Sequence, residues 1–179
     1  ANDNPNFVIS NEIEIHMPML FYLDLRNNSM QLPNKFGKDQ FPVLLWLWLS
    51  GNNLNKFPEN IETLNNSLLS MYIARCRIHV LPSYLSTFKR LIEFDARDNN
   101  ISDVDSTFQS IFYNENDNFI RNNGRQAFFS GNPVCHLDIN LKNSFSCEEM
   151  CSKYCYYKKE EVDQGSDGYC YVACNSEEC

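Results

Sequence analysis

The chain has 179 residues, 43% of them apolar and 13% aromatic, which is ample material for a folded core. Its formal net charge is −8 and its pI is near 4.8; this argues against nucleic acid or an anionic membrane as partner, because phosphate binding rests on a basic face. The longest apolar run, residues 41–49, is too short to span a bilayer.

From the N-terminus, Asn11, Ile13 and Ile15 hint at a degenerate structural unit. One pattern then recurs four times, in steps of 24, 24 and 23 residues. Its instances are Leu20, Leu23, Leu25, Asn28, Met30; Leu44, Leu47, Leu49, Asn52, Leu54; Leu68, Met71, Ile73, Cys76, Ile78; and Leu91, Phe94, Ala96, Asn99, Ile101. Two apolar side chains alternating inward mark a short strand, so the residues between them face the other way. Asn28, Asn52 and Asn99 read as structural, satisfying backbone groups where the chain turns in.

This pattern resembles the leucine-rich-repeat template LxxLxLxxNxL, in which Cys substitutes for the Asn. The resemblance implies an α/β solenoid: a leucine-rich-repeat arc with a parallel sheet along its concave side, because a single repeat cannot bury its apolar face. Ala127, Phe129, Asn132 and Val134 supply a fifth strand. The unit before it carries an insertion over residues 105–123, with a helical or 3₁₀ segment expected at 107–113. The expected organisation is a repeat array at 1–134, a cysteine cap at 135–150 and a small disulfide-rich module at 151–179.

Seven of the eight cysteines lie at 135–179, while Cys76 occupies the turn position of the third repeat and is expected to be a buried free thiol. Dense cysteines with few histidines favour disulfides and an oxidising compartment over zinc, even with His136 beside Cys135. The expected location is therefore extracellular, secreted or at the cell surface. Sequons at Asn27, Asn65 and Asn100 are glycosylation candidates.

The tail carries CxxxC at Cys151 and Cys155 and CxxxCNxxxC from Cys170 through Cys174 to Cys179. This resembles a Notch-type repeat, a small calcium-binding module held by disulfides. If that family's pairing carries over, Cys151 joins Cys179 and Cys155 joins Cys174, while the partner of Cys170 would lie beyond the last residue. Cys135 and Cys147 remain to close the repeat array. The resemblance leaves Asp167 and Asn175 as weak oxygen donors, and calcium is expected only if the chain continues past Cys179; no other cofactor or metal is expected. An array ending in SGNPVC at 130–135 and running into such a module is similar to secreted or surface proteins of filamentous protists.

No catalytic constellation is visible. His16, His79 and His136 lie in different units without a nucleophile motif, and six glycines build no phosphate loop. The solvent-facing strand positions are more informative: Tyr22, Trp46, Ser70, Glu93 and Gln126 in one row, and Asp24, Trp48, Tyr72, Asp95 and Phe128 in the next. Trp and Tyr carry binding energy at interfaces. Arg26, Arg75 and Arg97 alternate with Asp24, Glu93 and Asp95, a pattern that orients a partner. The leading expectation is a protein-interaction or structural module of an extracellular assembly that binds another chain through this face. The alternative is a carbohydrate-recognition module stacking sugars on Trp46 and Trp48; a receptor ectodomain is a third reading. On the first, Trp48→Ala weakens binding and leaves stability nearly unchanged.

Overall fold

The computed structural model describes residues 16–28, 36–112, 124–137 and Cys147. All of them belong to a compact unit running from Ala1 to Cys147, one of two into which the chain divides; the second is Glu148–Cys179. The degenerate unit expected at Asn11, the Notch-type module and disulfides expected in the tail, and the calcium candidates Asp167 and Asn175 fall outside the described residues.

Five three-residue strands form one parallel sheet in sequence order: β1 Tyr22–Asp24, β2 Trp46–Trp48, β3 Ser70–Tyr72, β4 Glu93–Asp95 and β5 Gln126–Phe128. The pairing is in register, so Leu23, Leu47, Met71, Phe94 and Ala127 form one column. Leu47, Met71 and Phe94 are wholly buried and Ala127 nearly so; Leu23, on the first strand, is only half-buried against the core. The second inward column is Leu25, Leu49, Ile73, Ala96 and Phe129, also buried.

Beyond the strands the ladder continues, with Leu25, Leu49, Ile73 and Ala96 N–H donating to Trp48, Tyr72, Asp95 and Phe128 C=O at 2.7–2.9 Å. The chain then takes a left-handed corner in every repeat, at Asn27, Gly51, Arg75, Asp98 and Gly131, with φ between 54° and 76°. Corner N–H groups donate to the next repeat: Asn27 to Ser50, Gly51 to Ala74, Arg75 to Arg97 and Asp98 to Ser130. At two of these corners a Cβ would also crowd the corner side chain of the preceding repeat, which would have to swing aside. A Cβ on Gly51 would lie 2.0 Å from Asn27 Oδ1, and one on Gly131 would lie 2.3 Å from Asp98 Oδ1.

The residue after each corner is the buried ladder position. Asn99 Nδ2 donates to Ile73 and Ala96 C=O, both at 2.9 Å, while its Oδ1 accepts from Cys76 and Ile78 N–H, both at 3.0 Å. Asn52 and Asn132 repeat the donor pair. Cys76 imitates it with its thiol, which donates to Leu49 C=O at 3.2 Å; the thiol is free and buried, and burial pushes its pKa up to about 11. Asn99→Ala should therefore strip the Asn99 bonds from three buried backbone groups at once, Ile73 C=O and the N–H groups of Cys76 and Ile78, while Ala96 C=O keeps Asn132 Nδ2 at 2.8 Å. We expect a loss of about 3 kcal/mol or more in denaturant titration, since each orphaned group costs about 1–3 kcal/mol.

The far side of the array is built from 3₁₀ turns at Ile61–Leu64 and Ser83–Thr87 and, in the fourth repeat, from helix α1, Ser106–Phe112. In α1, Phe108, Ile111 and Phe112 recur at helical spacing and are buried. Phe108 meets Phe94 at 5.2 Å between centroids, and Phe94 in turn meets Phe129 at 5.9 Å, so the insertion plugs into the core beneath β4 and β5. Asp105 starts the helix, its Oδ1 accepting from the Thr107 hydroxyl and from Thr107 N–H at 2.8 Å, and those bonds, the hydroxyl's first, hold its carboxyl below the usual value. Helix α2, Val134–Leu137, follows β5, and Cys135 within it is disulfide-bonded to Cys147.

Candidate functional site

Because strand side chains alternate, the open face of the sheet is lined by the first and last residue of each strand and by the residue two further on. Across β1 to β5 the first row is Tyr22, Trp46, Ser70, Glu93, Gln126 and the second is Asp24, Trp48, Tyr72, Asp95, Phe128. The third row is Arg26, Ser50, Ala74, Arg97 and Ser130, where Ser50, Ala74 and Ser130 are small and buried.

The aromatic residues form a connected group. Trp48 packs between Tyr22, at 4.4 Å and 87°, and Tyr72, at 5.4 Å and 74°. Arg26 lays its guanidinium over the Trp48 ring, 4.7 Å from the centroid. Trp48 is half-buried, and its indole N–H is sealed from water without a well-formed hydrogen bond. Tyr72 donates to Glu93 Oε2 at 2.5 Å. Burial first, and the Glu93 carboxylate second, raise the Tyr72 pKa far above the usual phenol range, outweighing the opposite pull of the Trp48 N–H and the Ser70 hydroxyl. Tyr72 is therefore a fixed donor rather than a titrating group. Tyr22 and Trp46 are the most exposed members, at 42% and 37%. Met17, Met19 and Phe21, just before β1, are exposed as well.

The charges at the two ends of the sheet are paired within their own repeats. Arg26 Nη2 and Nε reach Asp24 Oδ2 and Oδ1 at 2.8 and 3.0 Å; Arg97 does the same to Asp95 at 2.6 and 2.9 Å. In each case the Arg backbone N–H also donates to Oδ1. Arg97 then stands over the Phe128 ring at 5.8 Å. The free solvent face expected of Asp95 and Phe128 is corrected on this point: they are 1% and 5% exposed. The Arg97 fork takes up the Asp95 carboxylate, and its guanidinium lies over Phe128. A Asp-x-Arg triplet on a strand puts both side chains on one face, and the triplets at 24–26 and 95–97 were the available signal for these forks.

Burial pushes the Asp24 carboxyl up, but hydrogen bonds and charge from Arg26 outweigh it and leave the pKa below its usual value. A depressed folded-state pKa means that the pair contributes stability above about pH 4, the unfolded value, and loses it as pH falls through the folded value. The gap in melting temperature between wild type and Asp24→Asn should accordingly be wider at pH 7 than at pH 3.

Arg75 and the glycosylation candidates sit off this face. Arg75 is at the exposed corner after β3. Asn27 is an exposed corner residue with its amide against Gly51; Asn65 ends the first 3₁₀ turn and donates to Thr87 Oγ1 at 3.2 Å; Asn100 is exposed after the fourth ladder Asn. Among the described residues, no group of three or more His, Cys, Asp or Glu side chains comes together, and no helix is long and apolar enough to cross a membrane.

A family model described as Leucine Rich Repeat matches residues 43–64, the second repeat with its strand β2. That match and the parallel five-stranded sheet fit a leucine-rich-repeat arc, an architecture that generally serves as an interaction module rather than an enzyme. No curated protein and no solved structure matches the chain.

Proposed function

We propose that the protein is an interaction module of an extracellular, secreted or surface assembly, and that it binds another protein chain through its concave sheet face. The observation that carries this reading is the aromatic group on that face: Tyr22 and Trp46 stand open beside a braced Trp48 and Tyr72. Rigid aromatic side chains that have already lost their rotamer freedom bind at low entropic cost. The disulfide at Cys135 supports an oxidising compartment. The tail at 151–179 would then be a Notch-type module continuing the assembly, and Asn27, Asn65 and Asn100 would carry glycans.

The carbohydrate alternative is less well supported. Sugar rings stack on open aromatic faces, whereas Trp48 has the Arg26 guanidinium over its ring and two tyrosines against it. Glu93, a candidate sugar acceptor, is already engaged by Tyr72. The test is direct: the full chain is probed on a glycan array and, in parallel, used to capture native partners, each with wild type and Trp46→Ala. Capture of a protein that Trp46→Ala loses supports the proposal. Glycan binding that the same variant loses would replace it with the alternative.

A further inference from the structure

We infer that the corner of the third repeat is a second contact, and that Arg75 and Arg77 there hold carboxylate side chains of an acidic segment of the partner protein. The other described arginines are occupied: Arg26 and Arg97 in their forks, Arg90 on Asn66 C=O and Arg125 on Lys89 C=O. Arg75 and Arg77 are exposed, and among the described residues no carboxylate pairs with either. The nearest acid in the corner column is Asp98, and its carboxylate is turned the other way, onto Gly131 of the fifth repeat. On the opposite side the corner residue is Gly51, which has no side chain to crowd or neutralise the guanidiniums.

Both arginines also hold left-handed backbone, at φ 54° and 59°. The other left-handed positions described are Asn, Asp or Gly, residues that take this conformation readily. Two arginines in its place cost stability, and the corner at 75 does not require one, since Asn, Gly or Asp serves there in the other repeats. Their backbone is held in place: Cys76 between them is buried and its N–H is tied to Asn99 Oδ1, as is the N–H of Ile78. Two guanidiniums two residues apart, with no carboxylate paired to them among the described residues, suit a short acidic stretch that reaches them while keeping clear of a chain of net charge −8. A long polyanion such as a sulfated glycan would be repelled by the rest of the surface.

The inference extends the proposed protein-binding role to a separate surface, and the test keeps the two apart. Fluorescent hexaglutamate is titrated against the full chain at low and physiological salt, with wild type, the double variant Arg75→Asn/Arg77→Asn, and Trp46→Ala; a heparin hexasaccharide is titrated alongside. Because Asn accepts left-handed backbone, the double variant should melt at or above the wild-type temperature. Saturable, salt-sensitive hexaglutamate binding, weakened at least fivefold in the double variant and unchanged in Trp46→Ala, is the expected result. Absence of saturable hexaglutamate binding, equal binding by the double variant, or tighter binding of the hexasaccharide would overturn it. None of those results touches the concave face, whose test is partner capture by Trp46→Ala.

Discussion

Leu47→Asp should abolish cooperative folding. Leu47 lies at the centre of β2, wholly buried, in register with Leu23 on one side and Met71 on the other. A carboxylate there would lose its water with no cation within reach, because the charged forks are on the opposite face of the sheet. Burying an unpaired charge costs several kcal/mol, comparable with the entire stability of a domain of this size. The damage also spreads, since each repeat is stabilised chiefly by its neighbours and the second repeat joins the first to the remaining three. Circular dichroism melts should show no sigmoidal transition for Leu47→Asp. Leu47→Met, which keeps the volume, should lose less than about 1.5 kcal/mol. A Leu47→Asp chain that melts cooperatively would mean that another residue faces the core at this point.

The strands and buried columns were legible because the sequence repeats them: four copies of one spacing fix the inward positions better than any single stretch could. The α1 segment was legible for a related reason, since Phe108, Ile111 and Phe112 carry a helical period. What the repeat could not reveal is how outward-facing side chains use one another. Alternation places Asp95 and Phe128 on the open face, yet both are buried there by a side chain of the same face, Arg97. Asp105 is exposed and also caps α1, a role visible only once the helix has a defined first turn. The left-handed corner was largely legible: Gly51, Gly131, Asn27 and Asp98 suggest it, whereas Arg75 at the equivalent position conceals it. Propensity yields there to a backbone path that the neighbouring repeats impose through their hydrogen bonds.

On the open face the two tryptophans should separate binding from stability. Trp48 is braced by Tyr22, Tyr72 and Arg26, so the stability-neutral outcome expected of Trp48→Ala from alternation alone gives way to a loss of about 2 kcal/mol, together with weakened binding. Trp46 is the cleaner probe. It precedes Trp48 by two residues on the same strand face and is 37% exposed. Trp46→Ala should shift stability by no more than about 0.5 kcal/mol, the usual range for a surface position. If a partner chain covers it, the same change should cost about 2 kcal/mol or more of binding, roughly a thirtyfold rise in Kd. Calorimetric titration of the captured partner, paired with a thermal melt of each variant, reads both quantities on the same preparations. Loss of affinity in Trp46→Ala with an unchanged melt assigns the aromatic group to recognition. Unchanged affinity in that variant would place the functional surface elsewhere, with the exposed corner at Arg75 and Arg77 the next to test, and would leave Trp48 as a packing residue that happens to face outward.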